Sequence, residues 1–156
     1  MFTVCKIKKY DIVKLMKISK ILYDCGKDMA QKNNLHHWNV SRLKMFLIVM
    51  LYNLDNDTYL VYDGKILKAT FQVKQSDNVL AFQKLATAPQ YSGGGLGTFC
   101  LQEIERIAEK RGCKEIICDV YDKNVNVKEF YEKRGYYVYD TGATRNYTIL
   151  KLKKEI

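Results

Sequence analysis

A chain of 156 residues with 47 % hydrophobic side chains and a single proline can bury one sizeable core, so it reads as one domain over residues 1–156 and not as a disordered chain. The net charge of +9 comes from lysines spread along the chain, grouped only at Lys6-x-Lys8-Lys9 and Lys151-x-Lys153-Lys154, which argues against a nucleic-acid partner. Five cysteines (Cys5, Cys25, Cys100, Cys113, Cys118) show no CxxC pair and no metal-ligand spacing with His36 and His37, so neither a disulfide scaffold nor a metal site is expected.

The longest apolar run, Met45 to Tyr52, is too short to cross a bilayer, and the N-terminus has no secretory pattern. A cytoplasmic protein without membrane contact is the expectation. Phe2 to Lys8 alternates apolar and polar as a strand does. Asp11 can cap a helix with Ile12, Leu15, Met16, Ser19, Leu22 and Tyr23 at helical spacing, expected to fray or kink near Gly26. A polar link, Asn33 to Asn39, carries His36, His37 and Trp38. Ser41 then caps a second helix, whose expected buried stripe is Leu43, Phe46, Leu47, Met50, Leu51 and Leu54.

Tyr59 to Tyr62, Asp63-Gly64, and Lys65 to Val73 read as a hairpin. Val79 to Thr87 is the next strand, ended by Ala88-Pro89. Leu96, Phe99, Cys100, Ile104, Ile107 and Ala108 give the following helix its apolar face, with Gly112 just beyond its end. Glu115 to Tyr121 reads as a strand, Asn124 to Lys133 as a short helix stopped by Gly135. A closing hairpin pairs the segment starting at Tyr136 with Tyr147 to Leu152.

Between the 79–87 strand and its helix lies Gln90-Tyr91-Ser92-Gly93-Gly94-Gly95-Leu96-Gly97-Thr98. Free amides at a helix start, together with the helix dipole, attract anions, and glycine lets a phosphate approach the backbone. The loop lacks the Gly-Lys-Ser/Thr ending of a Walker motif. A Rossmann reading would rest on Glu115 or Asp119 as the distant acid, and the flanking residues point elsewhere.

Pro89-x-Tyr91-x-Gly93-x-Gly95-Leu96-Gly97, then Cys118-Asp119-Val120-x-x-x-Asn124, then Phe130-Tyr131-Glu132-Lys133-x-Gly135-Tyr136, resembles the GNAT superfamily of N-acetyltransferases in order and spacing. That resemblance implies an α/β (mixed α+β) fold, a bent, mostly antiparallel sheet of about seven strands flanked by about four helices. It also implies acetyl-CoA as cofactor and a primary amine of a small molecule or peptide as acceptor, attacked directly. Leu85, Ala86 and Thr87 would hold the pantetheine arm, and Ser92, Gly93, Gly94, Gly95, Leu96, Gly97 and Thr98 the diphosphate. Asn124 would contact the arm, and Tyr131 would be the catalytic acid.

His36, His37, Trp38, Asp119 and Tyr147 are the candidate acceptor contacts. Asp119, His36, His37, Tyr147 or a water relay stand as alternatives for the base, because the 79–87 strand offers Gln83 and Lys84 where many members carry a carboxylate. Two departures stand out. Ser92 occupies the position of a long Arg or Gln side chain, unless the motif is read two residues earlier from Gln90, and Lys68 replaces a frequent glycine. Ser92 and the missing strand carboxylate together keep open a non-catalytic CoA-binding module as the alternative. A homodimer through the closing hairpin is compatible with the pattern.

Overall fold

The computed structural model describes residues Met1–Ile156. Strands β1 (Phe2–Lys6), β2 (Asp57–Asp63), β3 (Ile66–Ser76), β4 (Val79–Thr87), β5 (Glu115–Tyr121), β6 (Tyr137–Ala143) and β7 (Thr148–Glu155) form one sheet in the order β1-β2-β3-β4-β5-β7-β6. Helices α1 (Ile12–Asn33) and α2 (Arg42–Asp55) cover one face, while α3 (Leu96–Lys110) and α4 (Val125–Glu132) accompany the other. This is the mixed α/β architecture expected from the sequence.

Every neighbouring pair is antiparallel except β4–β5, which is parallel and joined only at Val79↔Glu115, Leu80↔Ile116 and Ala81↔Ile117. Past Ala81 the two strands part, and the β5-facing edge of β4 has no strand partner. A bulge accompanies the parting: Gln72 faces Gln83 and Thr70 faces Ala86, so Lys84 and Leu85 share one place opposite Phe71. Lys84 takes the left-handed conformation there, with φ of 50°.

The extra residue reverses the alternation of the strand. Leu80 and Phe82 enter the core under α3, whereas Ala86 and Ala88 enter the smaller core under α1 and α2. A second bulge leaves Lys68 unpaired between Leu67 and Ala69. Its Nζ meets Asp63 Oδ2 at 2.9 Å and lies 4.9 Å above the Tyr91 ring, which is how the sheet accommodates a side chain where glycine is frequent.

Caps fix the helices where the sequence placed them: Asp11 accepts from the Lys14 amide and Ser41 from the Lys44 amide. Four expectations need correction. Strand β1 ends at Lys6 and not Lys8, and the two turn residues of the β2–β3 hairpin are Gly64 and Lys65, one position later than expected.

Helix α1 runs unbroken through Gly26. That glycine is a contact point and no hinge, because a Cβ there would stand 2.2 Å from the Trp38 carbonyl oxygen. Helix α2 buries Met45, Val49 and Asn53, while Leu43, Leu47, Leu51 and Leu54 face outward. The cause is polar. Asn53 donates to the Lys9 carbonyl at 2.9 Å and accepts from the Thr58 hydroxyl at 2.8 Å, and Gln72 donates to that hydroxyl at 3.0 Å. Turning Asn53 inward brings Val49 and Met45, one and two turns earlier, in with it.

Gly26→Ala separates helix propensity from packing. Propensity alone would stabilise the helix by about 1 kcal/mol, whereas the Trp38 clash should destabilise by about 1–3 kcal/mol. We expect the melting temperature to fall by several degrees in thermal denaturation. A rise would show that the α1–Trp38 approach is not tight.

Candidate functional site

The parting of β4 and β5 opens a cleft of about 1270 Å³ that runs through the sheet and is lined from both sides. On the α3/α4 side it meets the glycine loop. A turn of 3-10 helix (Pro89–Tyr91) leads into Gly93, Gly94 and Gly95, with φ of 87°, 61° and 81°, and Gly95 is the N-cap of α3. The amides of Gly93, Gly94, Gly95, Gly97 and Thr98 make no hydrogen bond to another backbone group. A Cβ built on any of the first three glycines meets no protein atom within 4 Å. Donors, helix dipole and empty space therefore coincide, as an anion requires.

A cation joins them. Arg134 lies flat on Phe130, its Cζ 3.6 Å from the ring centroid, and donates to the Thr98 hydroxyl and to the Phe130 carbonyl, each at 2.7 Å. Sequence reasoning missed it, since Arg134 is the free position of Tyr131-Glu132-Lys133-x-Gly135. Its placement depends on α3 and α4 touching at Gly97, where a Cβ would come within 3.1 Å of Phe130.

Further in, Leu85, Ala86 and Thr87 line the cleft along the unpaired edge of β4. The Thr87 carbonyl accepts from Cys25 Sγ at 3.1 Å; burial and the nearby Asp28 and Asp24 push that thiol up to about 12, so it stays protonated. Asn124 stands at the N-cap of α4, is buried, and makes no side-chain cap bond, so its carboxamide is free toward the cleft. Tyr131 is wedged among Phe82, Phe130 and Tyr136 at ring distances of 5.5–5.7 Å. Burial raises its phenol well above the ordinary value, with the nearby Cys118, Tyr136 and Cys100 adding to the effect.

The other half of the cleft faces α1, α2 and the β6–β7 turn. His37, Trp38, Tyr121 and Tyr147 form an aromatic cluster, with His37 4.8 Å from Tyr121 and 6.3 Å from Tyr147. Burial lowers the His37 pKa below its ordinary value, and its Nδ1 is buried without a partner. Asp119 on β5 lines the same half; burial raises its carboxyl, partly offset by Lys151. Lys84 lines it from β4.

The structure thus gathers Leu85, Ala86, Thr87, Ser92, Gly93, Gly95, Gly97, Thr98, Asn124, Tyr131, His37, Trp38, Asp119 and Tyr147 into one cleft. Three expected residues fall outside its walls. His36 is on the surface, bonded through Nε2 to Asn34 Oδ1 at 2.7 Å, because the link turns only the next residue inward. Leu96 points into the core, and Gly94 sits on the outer side of the loop.

The acetyltransferase (GNAT) family profile matches residues 26–136. The chain belongs to the GNAT family of acetyltransferases. Among solved structures, the fold is similar to PaiA N-acetyltransferase of Thermoplasma acidophilum, solved in complex with coenzyme A, with TM-score 0.72, 20 % identity, and coverage of 100 % of this chain and 99 % of that one. It is also similar to the ribosomal-protein-S18-alanine N-acetyltransferase of Escherichia coli, with TM-score 0.72, 15 % identity, and coverage of 100 % and 94 %. At these identities the likeness concerns the fold. No curated protein matches the sequence. Within the GNAT architecture, no helix of this chain is long and apolar enough to cross a membrane.

Arg134→Gln keeps a hydrogen-bonding side chain but removes the charge. If the guanidinium completes the anion cradle, the dissociation constant for coenzyme A should rise about tenfold or more in calorimetry, in line with the roughly 1.5–3 kcal/mol of a hydrogen bond to a charged group. A lower melting temperature with unchanged affinity would reduce Arg134 to a brace between α3 and α4.

Proposed function

We propose that this chain is an acetyl-CoA-dependent N-acetyltransferase acting on a primary amine by direct attack. One observation carries the reading: the unpaired edge of β4 leads straight into the glycine cradle, with the Tyr131 phenol between them. That shape suits a ligand that is an extended amide chain at one end and a diphosphate at the other. Acetyl-CoA, when bound, supplies the acetyl group as an activated thioester.

The chain's own residues divide the work. Leu85 and Thr87 offer backbone groups to the amide arm as a neighbouring strand would. The amides from Gly93 to Thr98, with Arg134, hold the diphosphate and make up for the short Ser92 side chain. Asn124 supplies a free carboxamide beside the arm.

The Tyr131 Oη is protonated throughout the neutral range and has no hydrogen-bond acceptor of its own, so it can give its proton to the departing thiolate. On the acceptor side, His37 is neutral near pH 7 and lines the cleft, so its imidazole is suited to take a proton from the amine. His36 is too far out for that role. Asp119, poor in compensating charge, is suited to hold the ammonium form of the acceptor.

Thermal shifts with acetyl-CoA, coenzyme A and ATP test the cofactor assignment. Ligand at a hundredfold its dissociation constant stabilises by about 2.7 kcal/mol, so both CoA species should raise the melting temperature and ATP should not. Thiol release across an amine panel then separates an enzyme from a CoA-binding module that does not turn over; tight binding with no release selects the module.

Tyr131→Phe should reduce turnover by about 10²–10⁴-fold with little change in CoA affinity. Unchanged turnover would take the acid role from this phenol.

The pH profile tests the base. A neutral imidazole is the active form and its pKa is lowered from 6.5, so kcat/KM should hold down to pH 6.5 and fall only below it. His37→Ala should abolish that limb. A limb that persists in His37→Ala and vanishes in Asp119→Asn would move the base to β5.

A further inference from the structure

The acceptor half of the cleft contains a cation without an anion. Lys84 is the inserted residue of the β4 bulge, held at φ of 50°, and its side chain is turned toward α2, with Nζ 4.0 Å from the centroid of the Tyr52 ring. The aromatic face offsets part of the cost of removing an ammonium from water, but it accepts no conventional hydrogen bond. Burial alone lowers the Lys84 pKa, to about 8, and no acidic neighbour contributes. At neutral pH the group is therefore still mostly charged and is poorly hydrated.

Its neighbours on the cleft wall are differently placed. Lys74 is paired with Asp55, and Arg134 is bonded to Thr98 and Phe130. On β5, which lines the same cleft, Asp119 is a solvent-exposed carboxylate with no ion pair, set directly opposite Lys151 on β7. The cleft is thus lined by an ammonium from β4 and a carboxylate from β5, neither of them held in an ion pair.

A site of this kind is complementary to a molecule bearing both charges. The partly buried Lys84 ammonium gains most from a partner of opposite sign when water is excluded, and an acceptor without a carboxylate leaves it unpaired. Taking the transfer to a primary amine as given, we propose that the acceptor is an amine that also carries a carboxylate, of the amino-acid class, with Lys84 holding the carboxylate and Asp119 facing the amine. The proposal makes Lys84 a specificity-determining residue and gives the substitution of lysine into this strand a function.

The test uses matched pairs that differ only in the anion. N-acetylated amino acids and the corresponding N-acetylated amino-acid amides, spanning small, apolar and polar side chains, are titrated into the CoA-saturated full-length protein by calorimetry. The free amino acids and their amides are compared in parallel by thiol release from acetyl-CoA. At least one acid should bind about tenfold or more tightly than its amide and be preferred by a similar factor in kcat/KM.

Lys84→Met, which keeps the stem over Tyr52, should bring acid and amide to parity, and Lys84→Arg should restore the preference. The Arg arm separates charge recognition from a role as base, since a guanidinium does not take up a proton. The CoA-induced thermal shift of each variant reports that the fold is intact. Amides bound as well as acids by the unmodified protein, no binding by either, or a preference that survives Lys84→Met would each overturn the assignment. Acid-selective binding without thiol release from any amine would leave the carboxylate site standing and remove the transfer reading instead, so the two ideas fail separately.

Discussion

The structure depends on how briefly β4 and β5 stay together. Their parallel pairing covers three residue pairs, although each strand remains paired on its other side, β4 with β3 on either side of the bulge and β5 with β7 along its whole length. A backbone group left without a partner away from water costs roughly 1–3 kcal/mol, so an open edge in the middle of a sheet persists only where something can satisfy it. Here it borders a water-accessible cleft, so the edge costs little while empty and is ready for an extended, amide-bearing ligand. The fold builds the missing strand's place before the ligand arrives, which keeps the ordering cost of binding on the ligand's side.

Charge is distributed along this slot in a consistent order. One end has free amides, a helix N-terminus and the Arg134 guanidinium, all suited to a polyanion. The middle is apolar and aromatic, and there the Tyr131 hydroxyl is kept protonated by the same burial that would strengthen its effect on a nearby developing charge. The far end returns to titratable groups, with His37 rendered neutral by its surroundings and Lys84 and Asp119 both on the cleft wall. The overall excess of positive charge favours the approach of anionic ligands from solution.

Much of this was legible from local pattern. The glycine loop, Asn124 and Tyr131 lie within a stretch whose spacing is set by one strand-helix-strand-helix unit, so reading it needed no knowledge of distant contacts. What escaped the sequence depended on contacts made across the fold. Arg134 occupies an unconstrained motif position and gains a role only through the close approach of α3 and α4 at Gly97. The inward face of α2 is chosen by the Asn53–Thr58–Gln72 hydrogen bonds, which a count of apolar residues cannot register and which outweigh four leucines at helical spacing. Gly26 has the composition of a helix breaker and the function of a contact. His36 and His37 are adjacent and chemically alike, and only the path of the link decides which one enters the cleft.

The bulge at Lys84 joins these features. A non-glycine residue at positive φ costs about 1–3 kcal/mol, and this one is retained in the strand that carries the site. The inserted residue changes which side of the sheet each later residue of β4 faces: Leu80 and Phe82 before it lie under α3, and Ala86 and Ala88 after it lie under α1 and α2. A bulge bends the strand that carries it, and this one follows the last β4–β5 pair, at Ala81, by three residues. The same residue then directs its own side chain toward α2 on the cleft wall. Removing the inserted position would restore the alternation, put Ala86 and Ala88 on the wrong face and bring β4 back toward β5. The strain at one residue is therefore inseparable from the cleft itself, and a side chain at that residue has direct access to whatever the cleft admits.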